Sequence, residues 1–401
     1  GMCIDGEGFA RAIGVLGRWT RSVAASRPGL SAHRRSLRVQ RALRAALPRH
    51  GLVAFLADGA LLARDPGGGP DPACRPLRAP RALSVEIDLG ALGRHRGLGI
   101  RAGVTAIAGA PYHGKSTVLA AIAGGAEDRP PGDGRERVVA LPATLPVLAD
   151  DGRPIIIQDL SPFFPALPGG DARRFTTRRA SGATSMAAAT LQGIAAGARL
   201  LLVDEDTAAA NFLAVQAAMR RLLGRDLAGA SLAEALPGLA AAGISTVVVA
   251  GASTAAIASA GRTLLMRGFQ PVEATRRARA ACGPPPRALR LPLPPRRLGG
   301  DPDAILGPGH VLAVDVGDPE RPRFAGRSVD LRRAGFPLDP ALARGAVLGA
   351  AWACRLAAGG CDLCELGWRY QRWLAERGPA APDPFHEGFH AVAPWPLVHA
   401  V

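Results

Sequence analysis

The sequence predicts an α/β fold, in which a mostly parallel β-sheet is covered by helices and flanked by antiparallel strands. Two observations carry this prediction. Apolar segments of strand length are separated by segments long enough for helices, and they occupy residues 103–108, 154–158, 200–203 and 245–250. The first of them runs into a glycine-containing loop, and an apolar helical segment follows that loop. A strand, a glycine loop and a helix in this order are typical of parallel sheets with helical connections.

The antiparallel flank is predicted from two segments that precede the parallel strands. Residues 52–64 contain two short apolar runs around Asp58 and Gly59, which is the usual sequence of a β-hairpin turn. Residues 83–89 alternate apolar and polar positions, as a half-buried strand does. The Gly- and Pro-rich residues 66–81 between them are expected to form a loop.

Arginine dominates the residues before this flank. Five arginines between residues 34 and 44 stand among alanine and leucine, and in a helix most of them share one broad face. Such a face is either a solvated surface or a stripe that binds polyphosphate. Residues 1–50 are therefore predicted to form a small, arginine-rich amino-terminal region before a main domain at residues 51–275.

Two further segments complete the predicted organisation. Residues 276–300 are rich in proline and arginine and are predicted to be a linker or an extended arm. Residues 301–401 contain a small mixed region and an apolar helical stretch around residues 340–377, which predicts a helical C-terminal domain.

Composition limits the possible function classes. Hydrophobic residues make up 48% of the 401 residues, enough for a large core, and no apolar run of about 20 residues could span a bilayer. Six scattered cysteines do not predict a disulfide framework, so we expect a cytoplasmic protein without a membrane partner. The formal net charge of +16 favours a nucleic-acid partner, although a GC-rich coding sequence would enrich arginine as well.

One motif contains the only lysine of the chain, Lys115, although the chain carries 49 lysines and arginines in all. The surrounding residues fit the phosphate-binding pattern G-x-x-x-x-G-K-[ST]. Its glycines let backbone N–H groups turn towards phosphates, and the lysine is a point charge that fits between phosphate oxygens. The hydroxyl of Ser116 is expected to bind Mg²⁺. The residues expected to contact a nucleoside triphosphate are Gly109, Ala110, Pro111, Tyr112, His113, Gly114, Lys115, Ser116 and Thr117.

A second motif ends the apolar run at residues 200–203. Asp204 and Glu205 follow it directly, so both carboxylates should lie at the carboxyl edge of the sheet, where the phosphate loop begins. We expect Asp204 to hold Mg²⁺, directly or through water. Glu205 is expected to orient or deprotonate the attacking water, together with Lys115 as the catalytic pair. The only asparagine, Asn211, follows and would either cap a helix or reach across a dimer interface.

A third motif begins the helix that precedes this strand. Ser181, Gly182 and Ala183 stand at its start, with Ser181 as the expected N-cap. The serine hydroxyl and the first backbone N–H groups of the helix can donate to an anion. One helix plus one strand separate Ser181 from Asp204, and this spacing ties the two motifs together.

The order of these motifs is similar to that of ATP-binding-cassette (ABC) ATPases. More closely, residues 51–277 resemble the soluble "predicted ATPase of the ABC class" family, through the stretches GLVAFLADGALLAR, PYHGKSTVLAAI, DLSPFFPALPGGD, FTTRRASGATS and LLLVDEDTAAANF. The resemblance implies a P-loop nucleotide-binding domain that binds ATP and Mg²⁺. It also implies a homodimer in which Ser181 and Gly182 of one protomer complete the ATP site of the other. By the same resemblance, RNA is favoured over DNA as a nucleic-acid partner.

The chain departs from the family pattern at several points. Residues 1–50 are shorter than the family's amino-terminal region, and Ala110 and Pro111 replace glycines. Ser253 stands where many ABC ATPases have a histidine that senses the γ-phosphate, and Gln158 stands where a glutamine could sense Mg²⁺ and water. His113 either shapes the loop backbone or transfers a proton. No aromatic residue for the adenine ring is identified from the sequence.

The sequence thus predicts an ATP hydrolase of the ABC class that acts on or with RNA. The alternative is a nucleotide-gated protein–protein switch that hydrolyses ATP slowly or not at all. A small-molecule phosphotransferase with the same loop is disfavoured by the arrangement of Ser181 and Asp204.

Overall fold

The computed structural model describes residues 27–167, 170–224, 229–293, 297–298, 314–315, 317–324, 327–328, 340–357 and 360–377. The first 26 residues of the predicted amino-terminal region and most of the predicted C-terminal domain lie outside the described residues, and the division into domains stays a prediction. The helices and strands are α1 (Arg27–Ala46), β1 (Leu52–Ala57), β2 (Ser84–Asp88), β3 (Arg94–Arg101), β4 (Val104–Ala108), α2 (Lys115–Gly124), β5 (Val138–Ala140), β6 (Thr144–Val147), β7 (Ile155–Gln158), β8 (Phe175–Thr177), α3 (Gly182–Ala195), β9 (Leu200–Asp204), α4 (Ala210–Leu213), α5 (Ala217–Leu223), α6 (Leu232–Ala241), β10 (Ser245–Ala250), α7 (Thr254–Ala258), β11 (Arg262–Arg267), β12 (Gln270–Glu273), α8 (Thr275–Cys282), β13 (Arg297–Leu298), β14 (Val314–Asp315), β15 (Arg323–Phe324), β16 (Arg327–Ser328), α9 (Pro340–Ala357), β17 (Cys361–Asp362) and α10 (Leu363–Arg377).

A six-stranded sheet with the strand order β12-β11-β4-β10-β9-β6 forms the centre of the fold. All neighbours in it are parallel except β11 and β12, which are antiparallel. Strand β10 lies between β4 and β9, with Ala250 opposite Ala108 and Val249 opposite Asp204. The carboxyl ends of these three strands therefore meet at one edge of the sheet. The predicted α/β fold and the strands at residues 103–108, 200–203 and 245–250 are confirmed.

Alternate side chains of the central strands enter two separate hydrophobic cores. Leu201 and Val203 of β9 pack with helices α3 and α6 on one face of the sheet. Leu200 and Leu202 pack with helix α2 and the antiparallel strands on the other face. Because side chains of a strand alternate between its two faces, a continuous apolar run is what a strand covered on both faces requires.

The second sheet is antiparallel, with the order β2-β3-β1-β5, and it forms the predicted flank. Helix α1 covers its outer face through Leu43, and Leu47 follows the helix; both pack with Phe55 and Ile87. The strand expected at residues 83–89 is confirmed as β2.

The hairpin expected at residues 52–64 is wrong. Its first half is β1, which is paired on one side with β3 and on the other with β5, so neither edge is left for a second hairpin strand. After the turn at Gly59, the chain pairs with other loops instead: Leu77 exchanges backbone hydrogen bonds with Gly59 and Ala60. Most of residues 66–81 is loop, as expected.

The predicted buried strand at residues 154–158 is a strand, but it is not buried in the parallel sheet. Strand β7 pairs only with β8 in a two-stranded ladder, and Ile156 and Ile157 are 66% and 59% exposed. Strand β6 occupies the position next to β9 that β7 would have needed.

Residues 276–300, predicted to be a linker or an extended arm, begin with a helical segment that the sequence did not predict. The first of them belong to helix α8, and Leu291 and Leu293 pack against the core beside the central sheet. Helices α9 and α10 confirm the helical stretch around residues 340–377, and Trp352, Tyr370 and Trp373 pack together between them. Among the described residues, no helix is both long enough and apolar enough to cross a membrane.

Candidate functional site

The phosphate loop connects β4 to α2 and uses backbone conformations that glycine favours. Gly109 has φ +147° and Gly114 has φ +86°, and Tyr112 between them adopts a left-handed φ of +61°. A Cβ atom on Gly109 would lie 2.8 Å from the carbonyl oxygen of Met266, so only glycine fits at this position. Gly114 is the N-cap of α2, so the first turn of this helix directly continues the loop. The backbone N–H groups of a first helical turn have no partner within the helix and can bind an anion.

Lys115 and Ser116 begin helix α2. The Nζ atom of Lys115 donates a hydrogen bond to the carbonyl oxygen of Ala110 at 3.0 Å, which closes the loop upon itself. Ser116 is exposed and Thr117 is half-buried, so both hydroxyl groups are accessible at the start of the helix. A phosphate oxygen that binds Lys115 must therefore compete with the Ala110 carbonyl.

Glu205 is held at the end of strand β10. Its Oε2 atom accepts backbone hydrogen bonds from the N–H groups of Gly251 and Ala252, the latter at 2.9 Å. A Cβ atom on Gly251 would lie 3.7 Å from Glu205 Oε2 and 4.0 Å from Lys115 Cε. Glu205 follows β9 and Lys115 follows the loop after β4, and β10 lies between these two strands. The two residues expected to form the catalytic pair therefore both approach Gly251, just after β10.

Asp204 is the last residue of β9 and is half-buried. Its Oδ1 atom accepts the N–H of Asp206 at 3.2 Å, which starts the turn after the strand. Asp204 and Ser116 follow parallel strands at the same sheet edge, and a carboxylate and a hydroxyl are oxygen ligands that Mg²⁺ prefers. Among the described residues, no group of three or more His, Cys, Asp or Glu side chains could hold a metal ion. Mg²⁺ does not need such a cage, because it usually binds one or two carboxylates plus phosphates and water.

Ser181 caps helix α3, as expected. Its Oγ atom accepts the N–H of Thr184 at 3.3 Å, and Ala183 is half-buried at the helix start. A Cβ atom on Gly182 would lie 3.2 Å from Asp151 Oδ1 and 3.4 Å from the Cβ atom of Ala209. The start of α3 therefore lies against the loop that follows Glu205, on the far side of β9 from the phosphate loop.

Three other predicted site residues are Asn211, Ser253 and Gln158. Asn211 is exposed and lies inside the short helix α4, whose N-cap is Ala209, so the expectation that it caps a helix is wrong. Ser253 is 4% exposed and caps α7, with its Oγ atom accepting the N–H of Ala256 at 3.3 Å. Gln158 is 7% exposed at the end of β7, and its Nε2 atom donates to the Asp159 carbonyl.

His113 ties the phosphate loop to a turn that sequence reasoning missed. Its Nδ1 atom accepts the backbone N–H of Gly268 at 3.0 Å, which supports the backbone-shaping alternative for this residue. Phe269 follows in the same turn and is 53% exposed. A Cβ atom on Gly114 would lie 3.2 Å from Phe269 Cδ1, so the ring lies against the phosphate loop. The only sequence signal for this turn is Gly268, two residues after the apolar run at residues 264–266.

A relative in Methanocaldococcus jannaschii, the uncharacterized protein MJ1628, is 33% identical over 186 residues. The match covers 43% of this chain and 41% of the relative, so the chain spans about two fifths of that protein's length. Two solved structures are similar at lower identity. One is the ADP conformation of MJ1267, an ATP-binding cassette of an ABC transporter, with 10% identity over 50% of this chain and 92% of that chain and a TM-score of 0.30. The other is CbiO1 from Clostridium perfringens, part of the ABC transporter complex CbiONQ, with 12% identity over 58% and 92% of the chains and a TM-score of 0.32.

The family model described as ABC_ATPase, P-loop domain, matches residues 27–288, which is more than half of the chain and includes the phosphate loop, the Ser-Gly helix start and the carboxylate pair. The chain therefore belongs to the ABC_ATPase P-loop domain family, whose members bind nucleotide.

Proposed function

We propose that this protein binds Mg-ATP and hydrolyses it at the edge of the central sheet. The observation that carries the proposal is the convergence of Glu205 and Lys115 on Gly251, within 3.7 and 4.0 Å of its Cβ position. A cation for the phosphates and a carboxylate for the attacking water are the two charged groups that the reaction needs. Both follow strands whose carboxyl ends meet beside the phosphate loop.

Each charged residue has a distinct part in the proposed reaction. Lys115 leaves the Ala110 carbonyl and neutralises the β- and γ-phosphates, while the N–H groups at the start of α2 hold the phosphate oxygens. Asp204 and Ser116 are the residues that would hold Mg²⁺, which neutralises the charge that develops on the phosphates. Glu205 orients the attacking water, and the two backbone donors on its Oε2 atom fix the carboxylate in place.

The second protomer of a dimer would complete the site through Ser181 and Gly182. The helix they begin lies beyond β9, whereas the phosphate loop follows β4, two strands away. This position beyond β9 favours contact between Ser181 and a γ-phosphate that the partner protomer holds. The exposed Ser181 and the exposed Asn211 are instead available to a partner of the same kind.

A nucleic acid, RNA rather than DNA, is the proposed partner of the cycle. Arg34, Arg35 and Arg38 are exposed on α1, whose opposite face is fixed to the antiparallel sheet by Val39 and Leu43. A further set of exposed arginines lies on α8 and after it, at Arg276, Arg277, Arg279, Arg287 and Arg290. Such surfaces neutralise phosphates without reading sequence.

The second candidate function is a nucleotide-gated switch with little or no turnover. The observation that favours it is the burial of Ser253, which is 4% exposed while it caps α7, so that its hydroxyl is poorly accessible to a γ-phosphate. In this case ATP closes the dimer, and a protein partner recognises the closed form.

ATP hydrolysis by the wild type and by Glu205→Gln separates the two functions. Glutamine keeps an oxygen that can accept the N–H groups of Gly251 and Ala252, so this variant removes the charge with little change in shape. We expect turnover in the wild type, no turnover in the variant, and a particle mass in size-exclusion chromatography that doubles for the variant with Mg-ATP. Binding of ATP without turnover in both proteins would reject hydrolysis and favour the switch. A mass that stays monomeric in all conditions would reject the dimer.

A further inference from the structure

A cavity of about 170 Å³ opens beside the phosphate loop, between residues 62–77 and the turn that joins β11 to β12. Gly114, Thr117 and Val118 of the loop and of helix α2 form its floor. The walls are mostly apolar, from Leu62, Leu77 and Met266 among others, with Phe269 at the turn. Three polar residues of the loop at 62–77 also line it: Asp71, Cys74 and Arg75.

Phe269 is held in an unusual position at this cavity. Its φ is +65°, a left-handed conformation that a bulky residue rarely adopts, and its side chain is 53% exposed. Exposed aromatic side chains in a rare backbone conformation persist only where neighbouring contacts fix them, and such residues cluster at binding sites. One fixing contact is the bond from the preceding Gly268 to His113 in the phosphate loop.

The residue after Phe269 fixes the turn from the other side. Gln270 accepts the backbone N–H of Arg78 at 2.9 Å and donates to the carbonyl oxygen of Pro76 at 3.0 Å. One side chain therefore binds a backbone donor and a backbone acceptor of the facing loop. The turn is thus tied to both walls of the cavity, and the ring of Phe269 is positioned before any ligand binds.

The volume and the lining residues of the cavity limit the kind of ligand that it can hold. Its volume is several times the roughly 30 Å³ that one water molecule occupies. It is below the roughly 300–1,000 Å³ of sites that enclose a whole drug-sized molecule. A single flat ring system fits these limits, and an exposed phenyl face is a platform on which a base stacks. Asp71 and Arg75 can bond to the polar edge of such a ring.

We propose that this cavity binds the base of the nucleoside triphosphate, with Phe269 as the stacking platform. The proposal rests on the proposed function, because it needs the phosphates to be held by the loop at Lys115. The floor of the cavity is the same loop and helix start that would hold the phosphates, so one nucleotide can occupy both places.

Binding of ATP and of inorganic triphosphate, measured by calorimetry with Mg²⁺, tests the proposal. Phe269→Ala should lower the affinity for ATP roughly tenfold or more and leave the affinity for inorganic triphosphate unchanged. Phe269→Trp should keep ATP affinity, and Trp368→Ala, which removes an aromatic ring that is 69% exposed on α10, should change neither. Equal affinity of Phe269→Ala and the wild type for ATP would overturn the proposal, and so would a loss for both ligands. If the wild type bound neither ligand, the proposed function itself would fail instead.

Cys74 allows a second test on the wild-type protein. Cys74 lines the cavity, and Cys282, which is also half-buried but lies on α8, serves as an internal reference. ATP should slow the alkylation of Cys74 by N-ethylmaleimide at least fivefold, measured by peptide mass spectrometry, and leave Cys282 unchanged. Inorganic triphosphate should not protect Cys74. Equal protection by both ligands, or none by ATP, would contradict a base in this cavity.

Discussion

The Oε2 atom of Glu205 accepts the backbone N–H of Ala252 at 2.9 Å, across the end of the neighbouring strand β10. Gly251 donates to the same oxygen, and a Cβ atom on it would also lie 4.0 Å from Lys115 Cε. The carboxylate is thus fixed by backbone groups next to another strand. Its orientation is set in advance and would cost no further side-chain freedom in a reaction.

The size of residue 251 should therefore control turnover. A single Cβ atom would stand at ordinary contact distances, 3.7 and 4.0 Å, from Glu205 and Lys115, so Gly251→Ala should keep near-normal activity. The two methyl groups of Gly251→Val have no room between these side chains and should lower kcat about tenfold or more by displacing them. Steady-state hydrolysis of ATP by both variants, with thermal unfolding as a control for folding, measures this. Equal activity of the valine variant and the wild type would mean that the two charged groups need not be so close.

Lysine should be irreplaceable at residue 115, although the chain otherwise uses arginine for every basic position other than histidine. The guanidinium of Lys115→Arg is a wide planar fork and does not fit the point that an ammonium occupies beside the Ala110 carbonyl. We expect Lys115→Arg and Lys115→Ala to weaken ATP binding or turnover to a similar extent, about tenfold or more. Calorimetric titration with Mg-ATP measures the loss. Normal behaviour of the arginine variant would show that charge alone is sufficient.

The site at the edge of the sheet could be predicted from the sequence because its residues directly follow apolar strands. The runs before Gly109 and before Asp204 are continuously apolar, as strands buried on both faces of a parallel sheet are. The carboxyl ends of such strands lie at the same edge. Pairing choices were not predictable in the same way. The second half of the expected hairpin at residues 52–64 failed because β3 and β5 take both edges of β1.

The turn at Phe269 could not be predicted for a related reason. Phe269 meets the phosphate loop because β11 pairs with β4, with Leu264 opposite Ile107. That register joins residues far apart in the chain, and no local pattern around Gly268 encodes it. The role of Gly251 likewise depends on the register of β10, which brings this glycine close to both Lys115 and Glu205.

The ion pair that attaches α1 to the main domain should make stability depend on pH. Asp128 accepts hydrogen bonds from Arg41 Nε at 2.8 Å and Arg44 Nη1 at 2.9 Å. Burial raises the pKa of Asp128, but the bonds from Arg44 and Arg41 outweigh it and hold the pKa below the usual 3.8. A carboxyl group whose pKa is lower in the folded state stabilises the fold above its unfolded pKa and ceases to do so as pH falls through the folded value.

Asp128→Asn should therefore lower the free energy of unfolding by about 1 kcal/mol at pH 7, since the pair is partly exposed. The difference from the wild type should shrink as the pH falls below 3.8, where the wild-type carboxyl also becomes neutral. Urea unfolding at several pH values measures both effects. A difference that does not change with pH would mean that the charge of Asp128 is not what stabilises this contact.

The exposed arginines of α1 should set the salt dependence of RNA binding. Removal of one arginine that neutralises a phosphate reduces the slope of log affinity against log salt by about 0.7 for a single strand. Arg34→Ala combined with Arg38→Ala should therefore reduce the slope by about 1.4 if both arginines bind phosphates. Arg94→Ala is a matched control, because this exposed arginine already pairs with Glu86 and Asp88. An unchanged slope in fluorescence anisotropy titrations would remove α1 from the RNA site, and absent RNA binding by the wild type would remove RNA as the partner.

Mixing two inactive variants should restore activity if the site is shared between protomers. In a symmetric dimer, Lys115 of one chain and Ser181 of the other would form each composite site. Lys115→Ala and Ser181→Ala each damage both sites of a homodimer, but a mixed dimer has one site with both residues intact and one with both changed. When equal amounts of the two variants exchange subunits freely, about half of the dimers are mixed, and each mixed dimer has one intact site of its two. About a quarter of all sites are then intact, so about a quarter of wild-type turnover should return. If Lys115 and Ser181 acted within one chain, no site in the mixture would be intact, and its turnover would equal the average of the two variants measured separately.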